Sequence, residues 1–207
     1  MKIITLQVGA LGTNSYIVYD ENGVGAVIDP GDDAGGILDT ARKNGVEITH
    51  ILLTHGHCDH ASGANQIKNK TGAKIVAHKA EVRCLADSAI NLSSTFMCGG
   101  MPPVHADLLV SDGDVIACGS MKFSVLHTPG HTTGSCCYIV DDNIFSGDTL
   151  FYREIGRVDF PTGSMESMEK SLRKLKRIEG EFMVYPGHEQ KTALSEEKRS
   201  NPYMMRL

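Results

Sequence analysis

Four segments of this 207-residue chain end in the same way, and that recurrence narrows its possible folds more than any other feature. Each is a short apolar run that reads as a β-strand, and each delivers a metal-competent side chain just past its end. Ile51-Leu52-Leu53-Thr54 runs into His55, and Val125-Leu126 leads to Thr128-Pro129-Gly130-His131. Ile144-Phe145 runs into Ser146-Gly147-Asp148, and Val184-Tyr185 into Pro186-Gly187-His188. Strand ends converge on one sheet edge, where loops vary over a rigid scaffold. The pattern predicts a sheet-based fold with its chemistry gathered along one edge.

The remaining periodicity fits that frame. Residues 3–8, 15–19 and 25–28 read as three consecutive strands, with Glu21-Asn22-Gly23 as a hairpin signal and Asp29-Pro30-Gly31 as the closing turn. A helix over 34–43, stopped by Asn44-Gly45, leads into a buried strand at 48–53, and the rhythm repeats as a helix over 61–70 and a strand at 74–77. From 86 to 107 neither period holds, and Gly99-Gly100 and Pro102-Pro103 mark a long irregular segment of the kind that serves as a lid or substrate loop. Further strands are expected at 115–116, 121–126, 136–140, 143–145 and 182–185, a helix at 164–178, and a short helix from Thr192 halted near Asn201-Pro202. One domain over 1–207 is the expectation.

Charge and composition exclude several classes of partner. The net charge is -5, and the one basic run, Arg173 to Arg177, suits a solvated helix face, so no nucleic acid is expected. No stretch approaches ~18 apolar residues, and residues 1–8 lack a signal-peptide core, so no membrane is expected and a cytoplasmic location is. The six cysteines lack CxxC spacing and read as reduced thiols.

Thr54-His55-Gly56-His57-Cys58-Asp59-His60 places four candidate ligands, His55, His57, Asp59 and His60, within six residues. His55 and His57 are two apart, so an extended backbone points both the same way, while Asp59 and His60 fall where a helix should begin. A lone imidazole says little; this cluster together with the three later turns predicts a metal centre from His55, His57, Asp59, His60, His131, Asp148 and His188. Imidazole nitrogen and carboxylate oxygen suit zinc, and also iron or manganese, and the lack of a thiolate set points to a catalytic site. His50, His78, His105 and His127 lack matching partners and read as packing or surface residues, with His105 beside the irregular segment as a possible pocket member.

The stretches Thr128-Pro129-Gly130-His131-Thr132-Thr133-Gly134-Ser135 and Phe145-Ser146-Gly147-Asp148-Thr149-Leu150-Phe151 resemble the metallo-β-lactamase superfamily, most closely its hydroxyacylglutathione hydrolase (glyoxalase II) branch. The resemblance covers nearly the whole chain and implies an α+β fold, a four-layer αββα sandwich. It also implies two divalent metal ions, with His55, His57 and His131 on one, Asp59, His60 and His188 on the other, and Asp148 bridging. Asp59 and Asp148 would then be catalytic, and a metal-activated water would cleave a small-molecule thioester such as S-lactoylglutathione. The absence of an obvious general acid fits a thioester, since a thiolate leaves with a pKa near ~8.5.

In Ile155-Gly156-Arg157-Val158-Asp159-Phe160, Arg157 matches the basic position that meets the glycine carboxylate of glutathione in that branch. An arginine there can clamp a carboxylate bidentately or pair with Asp159 or Glu154. Classical glyoxalase II adds a C-terminal helical region that holds glutathione, and this chain stops soon after Glu196-Glu197-Lys198-Arg199-Ser200-Asn201-Pro202, which leaves the carrier thiol open. The exported β-lactamases lack the aspartate at the position of Asp148, so β-lactam hydrolysis is not expected. Two alternatives stand beside the thioesterase: a persulfide dioxygenase with one iron on His55, His131 and Asp148, and a non-enzymatic metal-binding module. The acyl group, native metal pair and oligomeric state are open.

Overall fold

Alternation of side chains along the strands builds the molecule. In the computed structural model, which describes residues 1–207, one sheet contains β1 (Lys2–Val8), β2 (Thr13–Tyr19), β3 (Val24–Ile28), β4 (Glu47–Leu52), β5 (Lys74–His78) and β6 (Leu108–Val110), in that order. β1 to β3 form an antiparallel meander, and β3 to β6 are parallel. The second sheet has the order β12-β11-β10-β9-β8-β7, from β7 (Val115–Cys118), β8 (Met121–His127), β9 (Cys136–Val140), β10 (Asn143–Gly147), β11 (Met183–Pro186) and β12 (Thr192–Ala193). Its neighbours are antiparallel except β10 and β11.

Because successive side chains in a strand face opposite ways, each sheet contributes to two apolar layers. Ile17, Tyr19, Val27, Ile51 and Ile75 face α1 (Ala34–Lys43) and α3 (Ala64–Thr71), meeting Ile37, Ala41 and Ile67. Their neighbours Tyr16, Val18, Ile28, Leu52 and Val76 meet Phe123, Val125, Tyr138 and Phe145 between the sheets. The outer face of the second sheet, with Cys137, Ile144 and Val184, packs on Met168, Leu172 and Leu175 of α6 (Met165–Arg177). Leu194 of α7 (Leu194–Ser200) and Met204 of α8 (Pro202–Met205) complete that layer. This is the four-layer αββα sandwich, and each fully buried Ile, Leu or Phe in it contributes about 1.5–3 kcal/mol of transfer free energy.

Two expectations need correction. The helix expected over 61–70 is two: α2 (Cys58–Ala61) carries Asp59 and His60, and α3 starts after Ser62-Gly63, where the Gly63 N–H donates to the Pro30 carbonyl instead. The segment 86–107 is irregular but not loose. After α4 (Val82–Ala86) it includes α5 (Ser93–Phe96), and it buries Ile90, Leu92, Met101 and Val104. No helix is long and apolar enough to cross a membrane.

Candidate metal centre

β8, β10 and β11 run in one direction, so their carboxyl ends share an edge, and β4 reaches that edge from the facing sheet. The seven side chains singled out from the sequence meet there. Ligand atoms of His55, His57 and His131 lie within 4.8 Å of one another, as do those of His55, His60 and Asp148 and those of Asp59, His60 and His188. The three groups share His55 and His60, so they form one continuous site.

Two glycines permit this crowding. Gly147, just before Asp148, has φ +49°, and a Cβ there would strike the Thr54 side chain. A Cβ on Gly187, just before His188, would strike Asp148 Oδ1 and His60 Cε1. The Gly-Asp and Pro-Gly-His turns are thus steric requirements of the site.

The hydrogen-bond network fixes which imidazole nitrogens face the centre. Thr54 Oγ1 donates to Asp29 Oδ2 at 2.7 Å, which uses its only hydrogen. His55 Nδ1, 3.1 Å from that same hydroxyl, must therefore be the donor, leaving the Nε2 lone pair free. His60 Nδ1 donates to Asp29 Oδ2 at 3.0 Å, and His131 Nδ1 donates to the Arg157 carbonyl at 2.6 Å. In all three rings the outer nitrogen is anchored and Nε2 is presented inward, the arrangement that orients metal-ligating histidines. Thr13 Oγ1 donates to Asp59 Oδ2 at 3.1 Å. Asp29 and Thr13 did not emerge from the sequence reading, although Asp29 stands just past β3 as the other four stand past their strands.

Electrostatics prepare the same ligand states in five of the seven side chains. At His60 and His188 burial is outweighed by the carboxylates of Asp148 and Asp59, which hold the imidazole above its usual range, so a metal must displace a proton there. Burial holds His55, His57 and His131 below the usual histidine range, and neighbouring imidazoles reinforce the effect. Burial acts on Asp148 in the opposite sense, but the adjacent His60 and His131 outweigh it and keep the carboxyl well below its ordinary range. Asp59 is likewise held low, chiefly by His60 against the cost of burial. Neutral imidazoles and ionised carboxylates are the forms that bind metal.

Whether these residues suit a cation can be read from what they leave unpaired. His55 Nε2, His57 Nε2 and Asp148 Oδ1 are buried without a hydrogen-bond partner. His57 Nδ1 and His131 Nε2 face each other at 2.8 Å, and His60 Nε2 and His188 Nε2 at 3.3 Å. Buried polar atoms without partners are costly, and converging nitrogens across two pairs of rings call for a shared positive charge. The residues fit a metal centre.

Above the centre opens a cleft of about 530 Å³. Arg157 lines it, but its guanidinium is held bidentately by Asp159, Nε to Oδ1 at 2.9 Å and Nη2 to Oδ2 at 2.7 Å, and lies 4.0 Å over the Phe160 ring. His105 is exposed and does not line the cleft, while His78 and His127 stack on each other at 3.8 Å.

The model of the metallo-beta-lactamase superfamily matches residues 8–188. The chain belongs to that superfamily. Its fold is that of metal-binding hydrolases. As a member, it is 32% identical over 211 residues to hydroxyacylglutathione hydrolase GloC of Haemophilus influenzae, with 99% of this chain and 98% of that protein covered. Among solved members, the BLEG-1 B3 metallo-beta-lactamase superposes with a TM-score of 0.93 at 29% identity, covering 98% of this chain and 99% of the other. TTHA1623, solved in a di-iron-bound form, superposes with a TM-score of 0.86 at 29% identity, covering 97% and 99%.

Proposed function

We propose that the chain is a binuclear metal-dependent thioesterase of the glyoxalase II type. The observation that carries this reading is the convergence of seven metal-competent side chains, of which His55, His57 and Asp148 each leave a buried polar atom without a protein partner. His55, His57 and His131 would hold one ion, Asp59, His60 and His188 the second, and Asp148 both, with zinc as the expected metal. A bound pair would supply Lewis acidity and lower the pKa of water toward ~7.

The chain's own residues do the rest. Asp29 locks the tautomers of His55 and His60, and the Arg157 carbonyl locks that of His131, so no side-chain reorganisation is needed at the moment of reaction. Asp59, steadied by Thr13, stands at the cleft floor where it can accept a hydrogen bond from the attacking water. The C–S bond breaks as the new C–O bond forms, and the sulfur leaves as a thiolate that takes its proton from solvent. No tyrosine or lysine lines the cleft, and a thiolate, unlike an amine, leaves without first being protonated, which favours a thiol leaving group. The similarity to GloC supports the same class.

The test is elemental analysis of the purified protein beside thioester hydrolysis, oxygen uptake with glutathione persulfide, and β-lactam hydrolysis. Two metals per chain with thioester turnover is the expected result. One iron with oxygen consumption would replace this reading with the dioxygenase, and β-lactam turnover alone would replace it with the activity that BLEG-1 is named for. Metal with no turnover of any substrate would leave a binding module.

A further inference from the structure

The walls of the cleft differ in character from its floor. Leu11, Leu92, Phe96, Phe151, Ile155 and Phe160 line it above the seven metal-competent side chains. Phe160 stands 5.8 Å from the His57 ring, and Phe151 6.1 Å from the His188 ring, so apolar surface begins on both sides directly beside the reacting centre. Leu11, in the β1–β2 turn, and Phe96, in α5, are 50% and 53% exposed, although side chains of this size normally bury such area. They come from separate loops and line the same opening.

Charge on the walls points the same way. Arg157 is the one lysine or arginine that lines the cleft, and both of its faces are engaged, the fork by Asp159 and the plane by Phe160. Glu154 and Glu189 line the same walls. A carrier with free carboxylates, as glutathione has, would meet two carboxylates and no unpaired cation. Like charges that close together disfavour binding. An uncharged arm would instead cover Leu11, Phe96 and Phe160 and gain about 25 cal/mol for each Å² of apolar surface removed from water.

We infer that the cleft selects thioesters by an apolar, uncharged arm and discriminates against carriers that bear free carboxylates. The inference rests on the thioesterase reading for its reaction but on the cleft walls for its selectivity, and the two are separable by binding. S-hexyl-N-acetylcysteamine and S-hexylglutathione are stable thioethers that share the apolar chain and differ in carrier charge. Calorimetric titration into the metal-loaded full-length chain should show the first binding at least tenfold more tightly.

Phe96→Ser should weaken that binding at least fivefold. Asp159→Asn, which frees the Arg157 fork, should tighten S-hexylglutathione and narrow the gap. Equal or tighter binding of S-hexylglutathione by the unaltered chain, or no binding of either thioether, would overturn the inference. Hexanoyl-N-acetylcysteamine and S-lactoylglutathione are assayed in parallel. Turnover with the carboxylated carrier preferred in binding removes only the selectivity. The expected binding order with neither thioester hydrolysed removes the thioesterase and leaves the selectivity standing.

Discussion

Two buried polar clusters lie side by side at this sheet edge, and they are finished differently. In the first, His55, His57 and Asp148 each keep an atom without a protein partner. In the second, Glu81 is fully buried, yet its Oε1 accepts from the Gly56 N–H at 2.9 Å and its Oε2 from Thr132 Oγ1 at 3.0 Å, with the Gly134 N–H also bonded to it. Both clusters touch the same loops, since Gly56 lies between two of the metal-competent histidines and Thr132 follows a third. Burial alone therefore does not mark a site. What separates the two is satisfaction: Glu81 ties the 55–57 loop to the 131–135 turn and asks for nothing more, whereas the neighbouring cluster is complete only with a cation.

The sharpest way to break this contrast is at Asp148, the carboxylate that completes the unsatisfied cluster. Asp148→Ala should lower thioester turnover by about 10³-fold or more while circular dichroism stays native-like, because the side chain orders ligands rather than elements. Wild-type rates in a metal-loaded preparation of that variant would sink the mechanism. Asp29→Ala comes next. It removes the acceptor that fixes the His55 and His60 tautomers, so metal affinity, read by competition with a chromogenic chelator, should fall about 10–100-fold.

Glu81 should respond in the opposite currency. Glu81→Leu leaves the buried Gly56 N–H unpaired and should cost about 1–3 kcal/mol in urea unfolding, and Glu81→Gln, which keeps an acceptor, should cost less. A Glu81→Leu chain of undiminished stability would mean that the second cluster is ornamental.

His78 supplies a pH arm. It is buried, stacks on His127, and accepts from the Ala80 N–H through Nδ1, and burial with the neighbouring His127 lowers its pKa to about 4. The folded value lies below the unfolded one, so the unfolded chain takes up the proton first. The contribution is full above pH ~6.5 and is lost as the pH falls toward 4, by about 2 kcal/mol once solvent access is allowed for. Unfolding of the metal-free His78→Asn chain should show a flatter acid limb than that of the parent.

The smallest effect is expected at Cys58, which sits between two metal-competent residues but faces the apolar core, where burial pushes its thiol up to about 11. Cys58→Ala should keep both metals and most activity, and a variant that loses them would show that the thiol belongs to the first cluster after all.

The seven side chains of the first cluster were legible because their spacing is dense and because short apolar runs closed by Pro-Gly or Ser-Gly turns announce where strands end. The two-sheet architecture came from the resemblance to the metallo-β-lactamase superfamily, since the strand pattern alone places the ligands on one sheet edge without dividing the strands between two sheets. Asp29 was hidden by its setting, since Asp-Pro-Gly reads equally well as an ordinary turn, and its role depends on Thr54 and His60, which lie far from it in sequence. Glu81 was hidden for the same reason: its partners are 25 and 51 residues away. β6 escaped because it is three residues long, with Leu108 and Leu109 both exposed, so it carries no alternation. α5 is preceded by its cap residue Leu92, whose φ of +65° no residue pattern announces for a β-unbranched apolar side chain. Arg157 illustrates a different limit: the sequence offered a carboxylate clamp and an ion pair with Asp159 together, and the structure has the ion pair.

The division of the metal-competent residues between the sheets has a consequence for how the molecule is made. His55, His57, Asp59 and His60 follow strands of the first sheet, while His131, Asp148 and His188 follow strands of the second. During synthesis the chain therefore exposes four of the seven early and cannot assemble the full set until residue 188 has emerged. An ion captured then would act as a rivet through both halves, so that metal retention reports on whether the two sheets are docked, and loss of either half's grip would release the other's.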